Sequence, residues 1–179
     1  LVGIVATLRS WKGHRFLVDA LALLKRPEVE LVIVGDGPQR AALEWRVKER
    51  GLVERVRFTG NQDDVVPWLQ SLDVFALPSY ANEGVPQALI QASLCALPSV
   101  TTAVGAIAEV ALDGRTAIVV RPQDAADLAR GLAALLDDPA RRVQFGTAAR
   151  AHAMTRFGLE TMLDRMQAVF ASAVGPRRE

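Results

Sequence analysis

A doubly wound α/β fold, with a parallel sheet of about six strands and helices on both faces, is the architecture this sequence predicts. Short apolar runs alternate with helical stretches along the whole chain. The runs are apolar at nearly every position, as strands covered on both faces must be. Turn residues, mostly Gly, Pro, Ser or Asn, separate each run from the next helix. The 179 residues read as one Rossmann-like domain, 1–179, with strand order 3-2-1-4-5-6. A chain of this length buries about 70% of its unfolded surface, so it needs no covalent staple.

In order, Leu1 to Thr7 is the first strand. The loop Leu8-Arg9-Ser10-Trp11-Lys12-Gly13-His14 follows, then a helix with Phe16, Leu17, Ala20, Leu21 and Leu24 on one face. Leu31 to Val34 is the second strand, closed by Gly35-Asp36-Gly37-Pro38. A helix runs from Pro38 through Leu43, Val47 and Lys48, with Gly51 as its stop. Val56 to Thr59 and the loop Gly60-Asn61-Gln62 precede a helix carrying Val65, Val66, Trp68 and Leu69. Val74 to Leu77 is the fourth strand. It breaks at Pro78-Ser79, and a helix with Ala88, Leu89, Ala92 and Cys95 at helical spacing resumes after Pro86, which suits a first turn because it lacks an N–H. Ser99 to Thr102 and Ala117 to Val120 are the last strands. Helices follow from Pro122-Gln123-Asp124, from Pro139 to Thr155 and from Leu159 to Ala171, and Gly175 to Glu179 reads as a frayed tail.

Composition narrows the function. With 21 basic and 20 acidic residues the net charge is +1, so no global field favours nucleic acid. One cysteine forms no internal disulfide, and Cys95 reads as a small core residue of a cytoplasmic protein. No apolar run reaches the roughly eighteen residues that span a bilayer, and no signal segment opens the chain. No His, Cys or carboxylate cluster has metal-ligand spacing, so no metal or other cofactor is expected. The chain starts without Met inside an apolar strand, which suggests a piece of a longer protein.

The chemistry gathers after strands one and four, which are adjacent in this order and flank the crevice where strand order reverses. Arg9 and Lys12 are cations placed to meet phosphates. Gly84 and Pro86 open a helix whose free amides and dipole favour an anion, and Gly84 admits a ligand close to the backbone. Glu83, at the mouth of that site, either favours the helix terminus electrostatically or addresses ligand hydroxyls. Gly35-Asp36-Gly37 is not a dinucleotide fingerprint, because Arg40 stands where the third glycine belongs and the turn does not follow the first strand. Neither His14, read as a helix-surface residue, nor His152, in a late helix, sits in a catalytic motif.

From Pro78-Ser79 through Glu83-Gly84-Val85-Pro86 to Gln91, the chain resembles the donor signature of retaining family-four (group 1) glycosyltransferases of the GT-B fold. Gln91 replaces the second acid of that signature. Lys12-Gly13 matches the family's phosphate loop, but the family's Arg falls at Thr7, with Arg9 two positions later. Arg9 either reaches the same phosphate from there or is a surface charge. Gly35-Asp36-Gly37-Pro38 and the loop at Gly60 and Asn61 match turns bordering the nucleotide. Val104 to Glu109 matches a Gly-Gly turn near the sugar, with Ala106 in place of one glycine. The resemblance, from about Leu1 to Phe157, implies a C-terminal domain that binds a nucleotide-diphosphate-sugar donor without a metal. Lys12, Arg9 and Glu83 carry the chemistry, and Thr7, Gly35, Gly37, Gly60, Asn61, Gly84, Val85, Pro86 and Gln91 line the donor. It implies a separate N-terminal acceptor domain, peripheral association of the full-length enzyme with membranes, and a setting in bacterial surface polysaccharide or lipopolysaccharide synthesis. The alternatives are a nucleotide-binding module without catalysis and half of a sugar-nucleotide epimerase.

Overall fold

The computed structural model describes residues 1 to 174. The tail expected from Gly175 to Glu179 lies outside the described residues. Six strands, β1 (Val2–Val5), β2 (Leu31–Val34), β3 (Val56–Gly60), β4 (Val74–Leu77), β5 (Ser99–Thr101) and β6 (Ala117–Val119), form one parallel sheet in the order β3-β2-β1-β4-β5-β6. Central β1 pairs on one side from Val2↔Leu31 to Val5↔Val34 and on the other at Val2↔Val74 and Gly3↔Phe75.

The helices are α1 (His14–Leu24), α2 (Arg40–Glu49), α3 (Val66–Gln70), α4 (Gln87–Leu94), α5 (Ile107–Val110), α6 (Ala125–Leu136), α7 (Pro139–Phe157) and α8 (Leu159–Val174). The sheet core, Ile4, Ile33, Phe75, Ala76 and Val100, is sealed from solvent, with Leu17 and Leu21 of α1 and Leu128, Leu132 and Leu135 of α6 packed on it. Each of these side chains larger than alanine contributes about 1.5 to 3 kcal/mol by leaving water. Helices α6 and α7 start where their sequences provide a cap, Asp124 accepting from the Asp127 amide at 2.8 Å and Asp138 from that of Arg141 at 2.9 Å. Along α8, in contrast, Leu159, Met162, Leu163, Met166, Val169 and Phe170 are exposed.

Several boundaries differ from expectation, and hydrogen bonding gives the reason. Strand β1 stops at Val5. The Ala6 amide still reaches Val34 O at 3.0 Å, but Leu8 N then turns to Asp36 O and Gln39 N to Leu8 O, both at 3.0 Å. Thr7 therefore leaves the sheet and is exposed. Helix α2 begins at Arg40 rather than Pro38. Pro86 is not in the first turn of α4 but caps it in extended conformation, and Cys95 is the half-buried residue at that helix's other end. Among the described residues no helix is long and apolar enough to cross a membrane.

Candidate functional site

Strand order reverses between β1 and β4, and the loops leaving their carboxyl ends face each other across that point. The first loop contains a single 3-10 turn, Ser10–Lys12, that ends at Gly13. Gly13 adopts φ +76°, and a Cβ there would lie 2.0 Å from the carbonyl oxygen of Pro78, so the two loops touch backbone to backbone. Tyr80 N donates to Trp11 O at 2.8 Å across the same contact.

The turn delivers Lys12 to Glu83. Lys12 Nζ donates to Glu83 Oε1 at 2.6 Å, and Ser79 Oγ donates to the same oxygen at 2.5 Å. The Glu83 side chain is only 3% exposed and that of Lys12 22%, so the carboxylate is buried with two donors. Ser79 is itself held, because Thr102 Oγ1 donates to its carbonyl at 2.5 Å. On the far side Gly105, at φ +59°, allows the loop before α5 to press on Glu83, whose carbonyl oxygen would lie 1.9 Å from a Cβ there. Asn82 precedes Glu83 in left-handed conformation at φ +55°, which asparagine tolerates better than most residues.

Beyond Glu83 the loop is open. Gly84 and Val85 are exposed, and no atom lies within 4 Å of where a Gly84 Cβ would be. Among the described residues the amides of Gly84, Val85, Gln87 and Ala88 donate to no protein acceptor. They lie at the positive end of the α4 dipole, where the sequence leads one to expect an anion. Pro86 is buried and Gln91 half-buried on α4. A second group of residues lies two and three strands away. Gly35 N donates to Gly60 O at 2.8 Å, joining the loops after β2 and β3, with Gly37 and exposed Asn61 beside them.

Arg9 has no carboxylate partner among the described residues. Its guanidinium lies 5.7 Å from the centre of the Trp11 ring and lines a cavity on the β2 side of the turn, with His14, Arg15 and Gln39. His14 corrects the sequence reading. It is buried rather than on the helix surface, beside Gln39 and Leu43 where α1 packs against α2. Neither ring nitrogen has a partner. Burial, and secondarily the Lys12 charge, lower its pKa to about 4, so the ring is neutral near pH 7. His152 is outside this constellation, its Nε2 bonded to the Glu109 carbonyl at 2.8 Å. Glu109 is an exposed charge 3.8 Å from Arg156.

Thr102 is a site residue to which sequence reasoning gave no role, while Ser79 and Gly105 were read only as parts of the signature and of the turn near the sugar, without their contacts to Glu83. Serine and threonine at the ends of apolar strands were the available signal, since buried hydroxyls need partners. Among the described residues no cluster of His, Cys, Asp or Glu fits a metal ion.

Comparison with known proteins assigns the chain to a family. Residues 1–138 match the model of the glycosyl transferases group 1. The chain belongs to that family. Among its relatives, the D-inositol 3-phosphate glycosyltransferase of Arthrobacter sp. (strain FB24) is 36% identical over 154 residues, covering 82% of this chain and 36% of the relative. The lipopolysaccharide core biosynthesis mannosyltransferase LpcC of Rhizobium leguminosarum bv. viciae is 31% identical over 185 residues, covering 99% and 52%. The crystal structure of Anabaena Alr3699/HepE in complex with UDP matches at a TM-score of 0.90 and 27% identity, over 96% of this chain and 48% of that one. This group 1 glycosyl transferase chain thus spans about half, or less, of the length of these relatives.

Proposed function

We propose that this domain binds a nucleotide-diphosphate sugar and presents it for retaining transfer of the glycosyl group to an acceptor. The observation that carries the proposal is the meeting of Lys12 and Glu83 beside the unpartnered amides of Gly84 to Ala88. A diphosphate entering the crevice competes with Glu83 for Lys12 and bonds to the amides. Glu83, relieved of one donor, turns its carboxylate to the sugar hydroxyls. Charge developing on the departing nucleoside diphosphate is then stabilised by Lys12 and by the α4 terminus, which take the place of a metal ion.

Strands lie about 4.8 Å apart, so the span from β3 to β4 is roughly 14 Å, which suits an extended nucleotide-sugar. The base rests against Gly35, Gly37, Gly60 and Asn61, the ribose meets Gln91, and Thr7, Val85 and Pro86 border the diphosphate and sugar. Arg9 is left out of this reading, because it stacks on Trp11 and lines a cavity with His14 and Gln39. An N-terminal acceptor-binding domain completes the cleft in the full-length enzyme. We place that enzyme in the cytoplasm, at the membrane periphery, in bacterial surface polysaccharide or lipopolysaccharide synthesis. The name of the Rhizobium relative supports that setting.

The test is calorimetric titration with UDP, GDP and ADP. One base is expected to bind best, and Lys12→Ala to weaken diphosphate binding roughly ten- to a hundredfold while sparing the nucleoside. Unchanged diphosphate affinity in that variant removes Lys12 from the site. With labelled donor, glycosyl transfer appears only once the acceptor domain is supplied. Isomerised donor, or no product under any condition, overturns the assignment.

A further inference from the structure

The cavity that takes Arg9 is a second candidate site, separated from the crevice by the Ser10–Lys12 turn. Arg9, Ser10, His14, Arg15, Gln39 and Leu43 line a space of about 40 Å³. That is enough for about three waters or for one tetrahedral oxyanion.

Its charge is one-sided. Arg9 and Arg15 are exposed, neither pairs with a carboxylate among the described residues, and no acidic residue lines the cavity. Both guanidiniums are instead positioned by aromatic rings. Arg9 lies over Trp11, and Arg15 lies over Phe16 at 4.5 Å with the Tyr80 ring centre 5.8 Å away. Such stacking holds the guanidinium plane and leaves its edge donors unspent.

The floor has polar groups without partners as well, one ring N–H of the neutral His14 imidazole among them. His14 is the one residue among those described with buried side-chain polar atoms that lack a partner, and both its ring nitrogens do. The amides of His14 and Arg15, in the first turn of the eleven-residue α1, donate to no protein acceptor among the described residues. A cavity with an excess of donors, two uncompensated cations and a helix terminus recognises an anion.

We propose that this cavity binds a phosphate group, either free phosphate or the terminal group of a phosphorylated small molecule. Arg9 and Arg15 hold the charge, and the Ser10 hydroxyl and Gln39 amide fix the orientation. The site does not depend on donor binding in the crevice, although the turn carrying Lys12 separates the two.

The chain is titrated calorimetrically with inorganic phosphate and, separately, with glycerol 3-phosphate, while amide shifts of His14 and Arg15 are followed by NMR. Binding is expected to shift both amides. The double variant Arg9→Gln/Arg15→Gln weakens it at least tenfold, and Lys12→Ala changes it less than twofold. Tighter binding of the monoester identifies the phosphate of a larger molecule as the ligand, and equal binding identifies the free ion. The proposal falls if neither ligand binds. It falls equally if Lys12→Ala abolishes binding while the double variant retains it, because the anion then sits in the crevice. Both arginines are exposed, so their loss leaves the core intact.

Discussion

The loops after β1 and β4 hold equivalent places beside the reversal of strand order, yet they are built in opposite ways. The first is bonded along its length, to the β2 loop through Leu8 and Gln39 and to Tyr80 through the Trp11 carbonyl. The second is fixed up to Glu83, by the Tyr80 and Ala106 amide bonds, by Lys12, Ser79 and Thr102 and by the pinch of Gly13 and Gly105, but beyond Glu83 its tip offers amides with no acceptor among the described residues. One loop is a rigid arm carrying a cation, and the other is completed by what binds it. Local opening should therefore be easier at Gly84 than at Gly13.

The hardest test of this contrast is glycine replacement in each loop. Gly13→Ala sets a Cβ against the Pro78 carbonyl at a left-handed position and is expected to cost roughly 3 kcal/mol or more, read by denaturant unfolding. Gly84→Ala meets open space and is expected to cost less than about 1 kcal/mol. Similar losses in the two variants would dissolve the distinction.

The rigid arm also carries the buried imidazole. With a folded pKa of about 4 against 6.5 unfolded, His14 binds its proton more readily in the unfolded chain. Its contribution is full above pH 6.5 and lost as pH falls toward 4, a loss of about 3 kcal/mol. In His14→Leu that part of the pH dependence should disappear from stability curves measured between pH 4 and 7. A slope identical to that of the parent chain would mean that His14 does not titrate in this way.

At the base of the open arm, Ser79→Ala removes a bond to a buried carboxylate and should cost about 1.5 kcal/mol in thermal unfolding, leaving Lys12 as the only side-chain donor to Glu83 among the described residues. An unchanged melting temperature would show that Lys12 alone suffices. The smallest effect belongs to Gln91→Glu. A charged acceptor should tighten ribonucleotide binding by about 1 kcal/mol and leave a 2′,3′-dideoxy analogue little changed. Equal changes for both ligands would place Gln91 away from the ribose.

The fold could be read from the sequence because a parallel sheet demands apolar strands, and runs such as Leu31 to Val34 or Val74 to Leu77 have few other uses. Strand order alone places the loop of Lys12 beside that of Glu83. That the two bind each other, with Ser79 as a third member, was not legible, because side-chain pairing across 71 residues leaves no periodic trace. His14 was misread for a related reason. A polar residue opening a helix looks solvated, and only the packing of α1 beside α2 buries it. Ends of elements slipped where backbone hydrogen bonds decide them, as after Val5, where the Leu8 amide turns to the Asp36 carbonyl and ends the strand before Thr7.

The central position of β1 has a consequence for synthesis. Its first neighbour, β2, ends at Val34, but its second, β4, begins only at Val74. At about 5 to 20 residues per second, a ribosome needs roughly 2 to 8 s to supply that interval. Throughout it the apolar edge from Val2 to Val5 has backbone groups but no strand to meet on that side, and an uncovered edge of this kind is open to pairing with another chain. The nascent polypeptide therefore has its greatest need of a chaperone before the fourth strand emerges, while the half-made sheet still ends at what will become its centre.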